Sequence, residues 1–312
     1  MICVLCQGPL QPHLKKAGAD KKMYSVMRCA KCSVWQIDPL PSEGELAALY
    51  QSEYFKVRSD RGYADYASEK IYRSVVATLE KNLRDLHFPA WENSLGENKS
   101  LLEVGCAAGH AVAWFAQRGW HALGMDIAHE MIEAGKKAGR PLVEADFLQH
   151  DFGAARFDLI THWATLEHLP QAEAFLRRMR TLLAEGGKIY LSTCNTGYFA
   201  RRYGTAWRYL NVPEHVFYFN RKSLRMLAEK CGLKLVRAFS YGSGFTTREN
   251  ASWWYRAQKH VADRLARFFL IWRYDRHRFR CPKIKNMPRN SLRESLLKLR
   301  SDSCLHGRNR VS

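Results

Sequence analysis

Three sets of residues in this sequence have the types and the spacing to do chemistry. The first is Cys3-x-x-Cys6 with Cys29-x-x-Cys32, two pairs with 22 residues between them. Thiols at that spacing suit a tetrahedral zinc ribbon with two knuckles, and a closed set of four thiolates leaves no open position for catalysis. A redox reading would need a low-pKa thiol at a helix start, and two paired knuckles argue against it. The second set is Leu101-Leu-Glu-Val-Gly-Cys-Ala-Ala-Gly-His110, followed by His121-Ala-Leu-Gly-Met-Asp126. It reads as strand, glycine turn, helix, strand, acid. Gly105 and Gly109 let the backbone approach a ligand and aim a helix N-terminus at it, while Asp126 can accept hydrogen bonds from two ribose hydroxyls. The third set is Val212-Pro-Glu-His-Val-Phe-Tyr-Phe-Asn220, where Glu214-His215 precedes an aromatic run.

These residues need a scaffold, and the hydrophobic pattern supplies one. The chain has 312 residues, 46% of them hydrophobic, enough for a full α/β core and a small appended module. Strands are expected at Ser100–Val104, Ala122–Asp126, Leu142–Glu144, Phe157–Thr161, Lys188–Cys194 and Leu233–Phe239. Helices are expected to begin near Gly109, Ala128, Gln171 and Ser223. That alternation predicts a doubly wound, Rossmann-like, mostly parallel sheet with helices on both faces. Glu185-Gly-Gly187 reads as the turn before the fifth strand. Upstream, a short Met23–Met27 strand leads into the second cysteine pair. Ser42-Glu-Gly-Glu45 starts one helix, and Ile71–Leu86 forms another, with apolar residues at 71, 75, 76, 79, 83 and 86. Phe88 to Ser100 reads as a polar connection. The expected organisation is a zinc ribbon over 1–40, a helical cap and linker over 41–98, a cofactor-binding domain over 99–245, and a basic tail over 246–312.

The pattern Glu103-x-Gly105-x-Ala107-x-Gly109 resembles motif I of the class I S-adenosylmethionine-dependent methyltransferases. In that family an acid precedes the first glycine by two residues. The resemblance implies that Glu103 sits by the methionine part of the cofactor and that Asp126, with Ile127 beside it, holds the ribose. Asp146-Phe147 follows the third strand, where the family places an acid at the adenine amino group and a neighbour flanking the ring. Thr161 to His168, leading into Leu169-Pro170, is similar to the segment that lines the methyl-donor end. It adds His162 to the cofactor set and His168 to the catalytic one.

Glu214-His215 and the aromatic run after it resemble a signature of zinc-ribbon methyltransferases that act on sugars, including deoxysugar C-methyltransferases. The N-terminal ribbon belongs to the same resemblance, which extends to about Gly244. It implies a sugar or glycan-pathway small molecule as acceptor, methylated on oxygen or carbon. Transfer from a sulfonium is an in-line displacement, so the protein must hold the nucleophile close and remove its proton. An imidazole suits that work, and His215 oriented by Glu214 is the expected base. The plainer assignment for His215 is a loop hydrogen bond. His168 and His162 are the alternatives for the base.

Formal charge is +19, and Thr246–Ser312 holds 17 Lys/Arg against 5 Asp/Glu. Within that tail, Trp253 to Trp272 reads as a basic amphipathic helix, and no apolar strand completes the sheet as family members usually have. Docking on the sheet is its plainest role. An anionic membrane surface comes second, and nucleic acid third, on the alternating Arg and aromatic residues of 272–280. No run approaches a membrane span and no signal-peptide core is present, so the expected location is the cytoplasm. Two other readings compete with a small-molecule enzyme. An RNA methyltransferase would use ribbon and tail on phosphates, but Thr161-His-Trp-Ala164 stands where its catalytic motif would be. A non-catalytic zinc-binding scaffold would retain the fold without turnover.

Overall fold

A computed structural model of the chain describes residues 1–42, 44–46, 68–207 and 209–240. Two sheets carry the fold. The larger is formed by β4 (Ser100–Val104), β5 (His121–Asp126), β6 (Leu142–Glu144), β7 (Phe157–Trp163) and β8 (Leu183–Ser192), in the order β6-β5-β4-β7-β8. Every pairing in it is parallel. Such strands are buried on both faces, which is why β4 reads as a continuous apolar run rather than an alternation. Leu101 packs into one core with Phe88, Phe115, Trp120, Leu159 and Tyr190. Its neighbours Leu102 and Val104 enter the other, with Met125, Phe147, Ile160 and Leu176.

The smaller sheet is antiparallel: β1 (Leu10–Ala17), β2 (Met23–Cys29), β3 (Trp35–Ile37) and β9 (Phe217–Tyr218), in that order. Its fourth strand comes from the segment directly after His215. The N-terminal module is therefore completed by residues far beyond the expected 1–40. One apolar cluster runs from Cys3, Leu5 and Cys32 through Val216, Phe217 and Phe219 to Leu166, Leu227 and Cys231.

Helices α1 (Glu69–Asp85), α2 (Phe88–Glu92), α3 (His110–Gln117), α4 (His129–Lys137), α5 (Ala172–Leu182), α6 (Tyr198–Tyr203) and α7 (Arg221–Lys230) flank the sheets. Local chemistry explains their starts. Ser68 caps α1 through Ile71 N–H, and Asn220 and Ser223 form reciprocal cap bonds at α7, so that helix begins two residues before the expected Ser223. Ser42 and Glu45 make the same reciprocal pair, and residues 44–46 are helical.

Three expectations are corrected. Leu233–Phe239 is not a strand: it makes no ladder with β8, and Val236 is 84% exposed. An alternating pattern alone does not hold a strand without a paired edge for its backbone groups. Glu185-Gly-Gly187 lies inside β8 as an irregularity, with Phe157 opposite Leu183 but Leu159 opposite Lys188. The connection 88–100 is not simply polar, because Phe88 and Glu92 are buried. Glu92 accepts a hydrogen bond from Trp120 Nε1 at 2.8 Å and pairs with Arg118. Residues 47–67 of the expected cap and the basic helix expected at 253–272 lie outside the described residues. No helix among the described residues is long and apolar enough to cross a membrane.

Burial raises the Glu92 carboxyl, but hydrogen bonds from Arg118 and Trp120 outweigh it and hold the group below the usual carboxylate range. A depressed folded-state pKa contributes stability that is present above the unfolded value and lost as pH falls through the folded one. Glu92→Ala is expected to cost about 1–3 kcal/mol at pH 7, the half-exposed Arg118 limiting the loss. Thermal melts at pH 7 and pH 3.5 check this: the gap to wild type should narrow at the lower pH.

Candidate functional site

The turn after β4 is set by backbone geometry. Gly105 N–H and Cys106 N–H both donate to the Met125 carbonyl, at 2.8 and 3.1 Å, which ties the turn to the end of β5. Gly105 has φ 74°, and a Cβ there would lie 2.6 Å from Thr165 Oγ1. Gly109, with φ 71°, caps α3, and a Cβ there would lie 2.5 Å from Leu142 Cδ2. Only glycine meets both demands at each position. Ala107 between them also adopts φ 46°, an unusual conformation for a residue with a Cβ.

Two carboxyl groups flank this turn. Asp126 Oδ2 accepts from Ala107 N–H at 2.8 Å and Oδ1 from Ala128 N–H at 2.9 Å. Each oxygen keeps a further lone pair for a ligand. Ile127, beside it, is 62% exposed, an apolar surface next to a hydrogen-bond acceptor. Glu103 is buried, and its Oε2 accepts from Val112 N–H at 3.2 Å. Burial pushes its carboxyl up to about 8 despite that bond, and the Asp126 charge adds to the rise. Burial likewise raises Asp126, against its backbone hydrogen bonds.

The remaining candidates fall into different surroundings. Asp146 is exposed and accepts from Leu148 N–H at 2.7 Å. Phe147 is buried, its ring 5.3 Å from Phe175 and 5.9 Å from Phe152. His162 is wholly buried on β7, and its Nδ1–H donates to the Val104 carbonyl at 2.9 Å. Burial lowers its pKa to about 4, so it is a neutral tie between β7 and β4 at physiological pH.

Beyond β7 the chain brings the two other histidines together. His168 Nδ1–H donates to the Glu214 carbonyl at 3.0 Å, and its ring stands perpendicular to that of His215 at 4.5 Å. His215 Nδ1 lies 3.1 Å from the Tyr209 carbonyl and 3.4 Å from Cys194 Sγ. Glu214 itself is buried and meets His168 through its backbone. Two neighbours escaped the sequence reading. Glu167 stands one residue before His168, and burial raises its carboxyl. Cys194, two residues past β8, has its Sγ 3.5 Å from Glu167 Oε1. Glu167 was visible beside the flagged histidine; Cys194 had no signal except a position at the end of an expected strand.

The four N-terminal cysteines converge. Cys3 Sγ is 3.8 Å from Cys32 Sγ, Cys6 Sγ is 3.5 Å from Cys29 Sγ, and all four lie within 4.8 Å of one another. Both loops repeat one backbone pattern. Gln7 N–H donates to the Cys3 carbonyl and Cys3 N–H to the Gly8 carbonyl; Ser33 and Cys29 do the same with Cys29 and Val34. Gln7 and Ser33 both have positive φ.

With this geometry in view, the comparisons are direct. A family model described as "Methyltransferase domain" matches residues 74–238, more than half of the chain. The chain belongs to that methyltransferase-domain family. The ubiquinone biosynthesis O-methyltransferase of Coxiella burnetii is 27% identical over 153 residues, covering 45% of this chain and 65% of that protein. The protein of the same name from Idiomarina loihiensis is 31% identical over 105 residues, 31% of this chain and 43% of that one. The chain thus spans less than two thirds of these relatives. Among solved structures, magnesium protoporphyrin IX methyltransferase from Synechocystis PCC 6803 matches with a TM-score of 0.48 and 14% identity, over 64% of this chain and 95% of that one.

The raised Glu103 carboxyl gives a test without any acceptor. In the folded state it holds its proton up to about pH 8, whereas unfolded it releases it near 4.5, so stability falls as pH rises through that window. Glu103→Gln removes the cost of ionising a buried carboxyl. Ligand-free Glu103→Gln should melt above wild type at pH 8.5, and the two should converge near pH 4.5 by calorimetry.

Proposed function

We propose that this chain transfers a methyl group from S-adenosylmethionine to a hydroxyl or carbon of a small, sugar-like acceptor. The observation that carries the reading is the turn Gly105–Gly109, held in the left-handed region and packed too tightly on Thr165 and Leu142 for a Cβ, flanked by Glu103 and Asp126 inside a matched methyltransferase domain. S-adenosylmethionine, when bound, supplies an electrophilic methyl group on sulfur. Asp126 accepts the two ribose hydroxyls, and Ile127 offers an apolar wall to the base. Glu103 lies by the methionine part, where an ammonium would favour its ionised form. His215, or its neighbour His168, takes the acceptor's proton as the new bond forms. The relatives carry the printed name of O-methyltransferases, which favours oxygen as the methylated atom and makes phenolic acceptors the second class to try.

The same reading assigns Zn2+ to Cys3, Cys6, Cys29 and Cys32. Four thiolates at ~2.3 Å from one ion lie ~3.8 Å apart, close to the separations above. The ion's work there is structural: it would hold the loops that support β3, and β3 pairs with the strand after His215.

Calorimetric titration with S-adenosylhomocysteine tests the cofactor assignment. Wild type should bind in the micromolar range and Asp126→Ala should show no measurable binding. Near-normal affinity in the variant removes the pocket assignment, and no binding to folded wild type favours the scaffold reading.

His215→Ala should bind S-adenosylhomocysteine normally and lose roughly 10²–10⁴ in turnover on any acceptor found in a panel of sugar nucleotides and phenols. Unchanged turnover takes His215 out of the reaction. Cys29→Ser with Cys32→Ser should lower turnover more than cofactor affinity, because the ribbon supports the His215 segment rather than the glycine turn. An equal loss of both would show that the ribbon stabilises the whole fold without favouring the acceptor end.

A further inference from the structure

A second convergence of side chains able to bind a metal shares no residue with the four cysteines. Glu167, Cys194 and His215 each direct one donor atom into a common space, all within 4.8 Å of one another. Cys194 Sγ sits at the centre, 3.5 Å from Glu167 Oε1 and 3.4 Å from His215 Nδ1. These separations are close to those between donors sharing one ion with bonds of about 2.0–2.3 Å. The three residues come from different places: the turn after β7, the end of β8, and the strand-leading segment before β9. Backbone bonds hold two of them in place: Val216 N–H donates to the Glu167 carbonyl and His215 N–H to the Asn211 carbonyl, both at 2.8 Å.

Hydrogen bonding inside the protein leaves one oxygen of this cluster unsatisfied. Glu167 is only 2% exposed, yet its Oε2 has no hydrogen-bond partner among the described residues. Thr193 and Cys194 lie close enough to lower the carboxyl against its burial, yet Oε2 and the Thr193 hydroxyl both stay without a bond of good geometry; a buried polar oxygen in that state costs on the order of 1–3 kcal/mol. His215 is also buried, whereas Cys194 is partly exposed and gives the cluster an opening.

We propose that Glu167, Cys194 and His215 form a second metal site, for a thiophilic divalent cation such as Zn2+, with a coordination position left open toward the methyl acceptor. The donor set argues for the class of ion. One thiolate and one imidazole select zinc-like metals over magnesium or calcium, which prefer oxygen. Charge argues for its valence: a carboxylate and a thiolate balance a 2+ ion, and neutral imidazole adds none. Loading releases the Cys194 proton and any held by Glu167, and exchanges the contact of His215 Nδ1 with the Tyr209 carbonyl for a bond to the ion. Three protein donors with a fourth position open is the arrangement of catalytic rather than structural zinc. An acceptor hydroxyl placed there would lose its proton more readily, and His168, 4.5 Å from His215, is the imidazole left to take it. This role for the ion rests on the methyl-transfer reading; the site itself does not.

The test is a metal count on the full chain. Wild type, Cys194→Ser and Glu167→Gln are loaded with excess Zn2+, separated from free metal, and measured by elemental analysis, with S-adenosylhomocysteine titrated into each. Wild type should carry one equivalent of zinc more than either variant, while all three bind S-adenosylhomocysteine alike. Equal zinc contents would overturn the site. A measurement on unaltered protein guards against misfolded variants: one added equivalent of Zn2+, beyond what the four cysteines take, should protect Cys194 from alkylation, read by mass spectrometry of its peptide. Alkylation of Cys194 at the same rate with and without that equivalent would also overturn it. If wild type fails to bind S-adenosylhomocysteine yet holds the extra zinc, the site stands and the methyl-transfer reading falls.

Discussion

One residue joins the two halves of this protein at the backbone. Val216 donates its N–H to the Glu167 carbonyl at 2.8 Å, and its own carbonyl accepts from Ile37 N–H at 3.1 Å. On one side lies the turn that follows the fourth strand of the parallel sheet; on the other lies the last strand of the N-terminal module. Phe217 and Tyr218 extend the second contact into a ladder with Trp35 and Gln36, and Asn220 Nδ2 adds a bond to the Ser33 carbonyl at 2.7 Å. The position of His215 is a consequence of these bonds. Strands fix the side chains beside them more closely than loops do.

The glycine turn follows another logic. There the constraint is close approach: two glycines in the left-handed region bring backbone N–H groups and a helix N-terminus to one place, and leave no room for side chains. Two acids then share a poorly solvated space. A buried carboxyl that keeps its proton in the empty protein and faces a neighbouring charge is set to change state when a cation enters. The two acids thus differ in state: Asp126 is tied by backbone N–H groups, whereas Glu103 has one such bond and is pushed up to about 8 by burial.

What the sequence revealed follows how local each signal is. β4, the glycine turn, α3 and β5 were legible because periodicity, positive-φ residues and an acid sit within one short stretch. The four cysteines were legible by spacing. The pairing of β9 with β3 was not, because residues 35–37 and 217–218 meet only after both sheets form. The cluster of Glu167, Cys194 and His215 was hidden for the same reason: three separate segments contribute one donor each. Leu233–Phe239 failed in the opposite direction, having a strand's alternation but no ladder to complete. Phe88 and Glu92 were misread because a short helix with one core ring looks polar in composition.

The late fourth strand of the N-terminal sheet also sets an order of events during synthesis. Cys3, Cys6, Cys29 and Cys32 precede the parallel sheet in the chain and can gather before it exists. Their sheet nevertheless keeps β3 as an open edge until Phe217 and Tyr218 emerge, by which time all five strands of the parallel sheet have been made. Long-range pairings of this kind form slowly, and an unpaired strand edge is the part of a nascent chain most prone to wrong partners. The sheet of the N-terminal module is therefore incomplete until residues 217–218 have been made. A fragment ending before residue 217 would lack that closing strand.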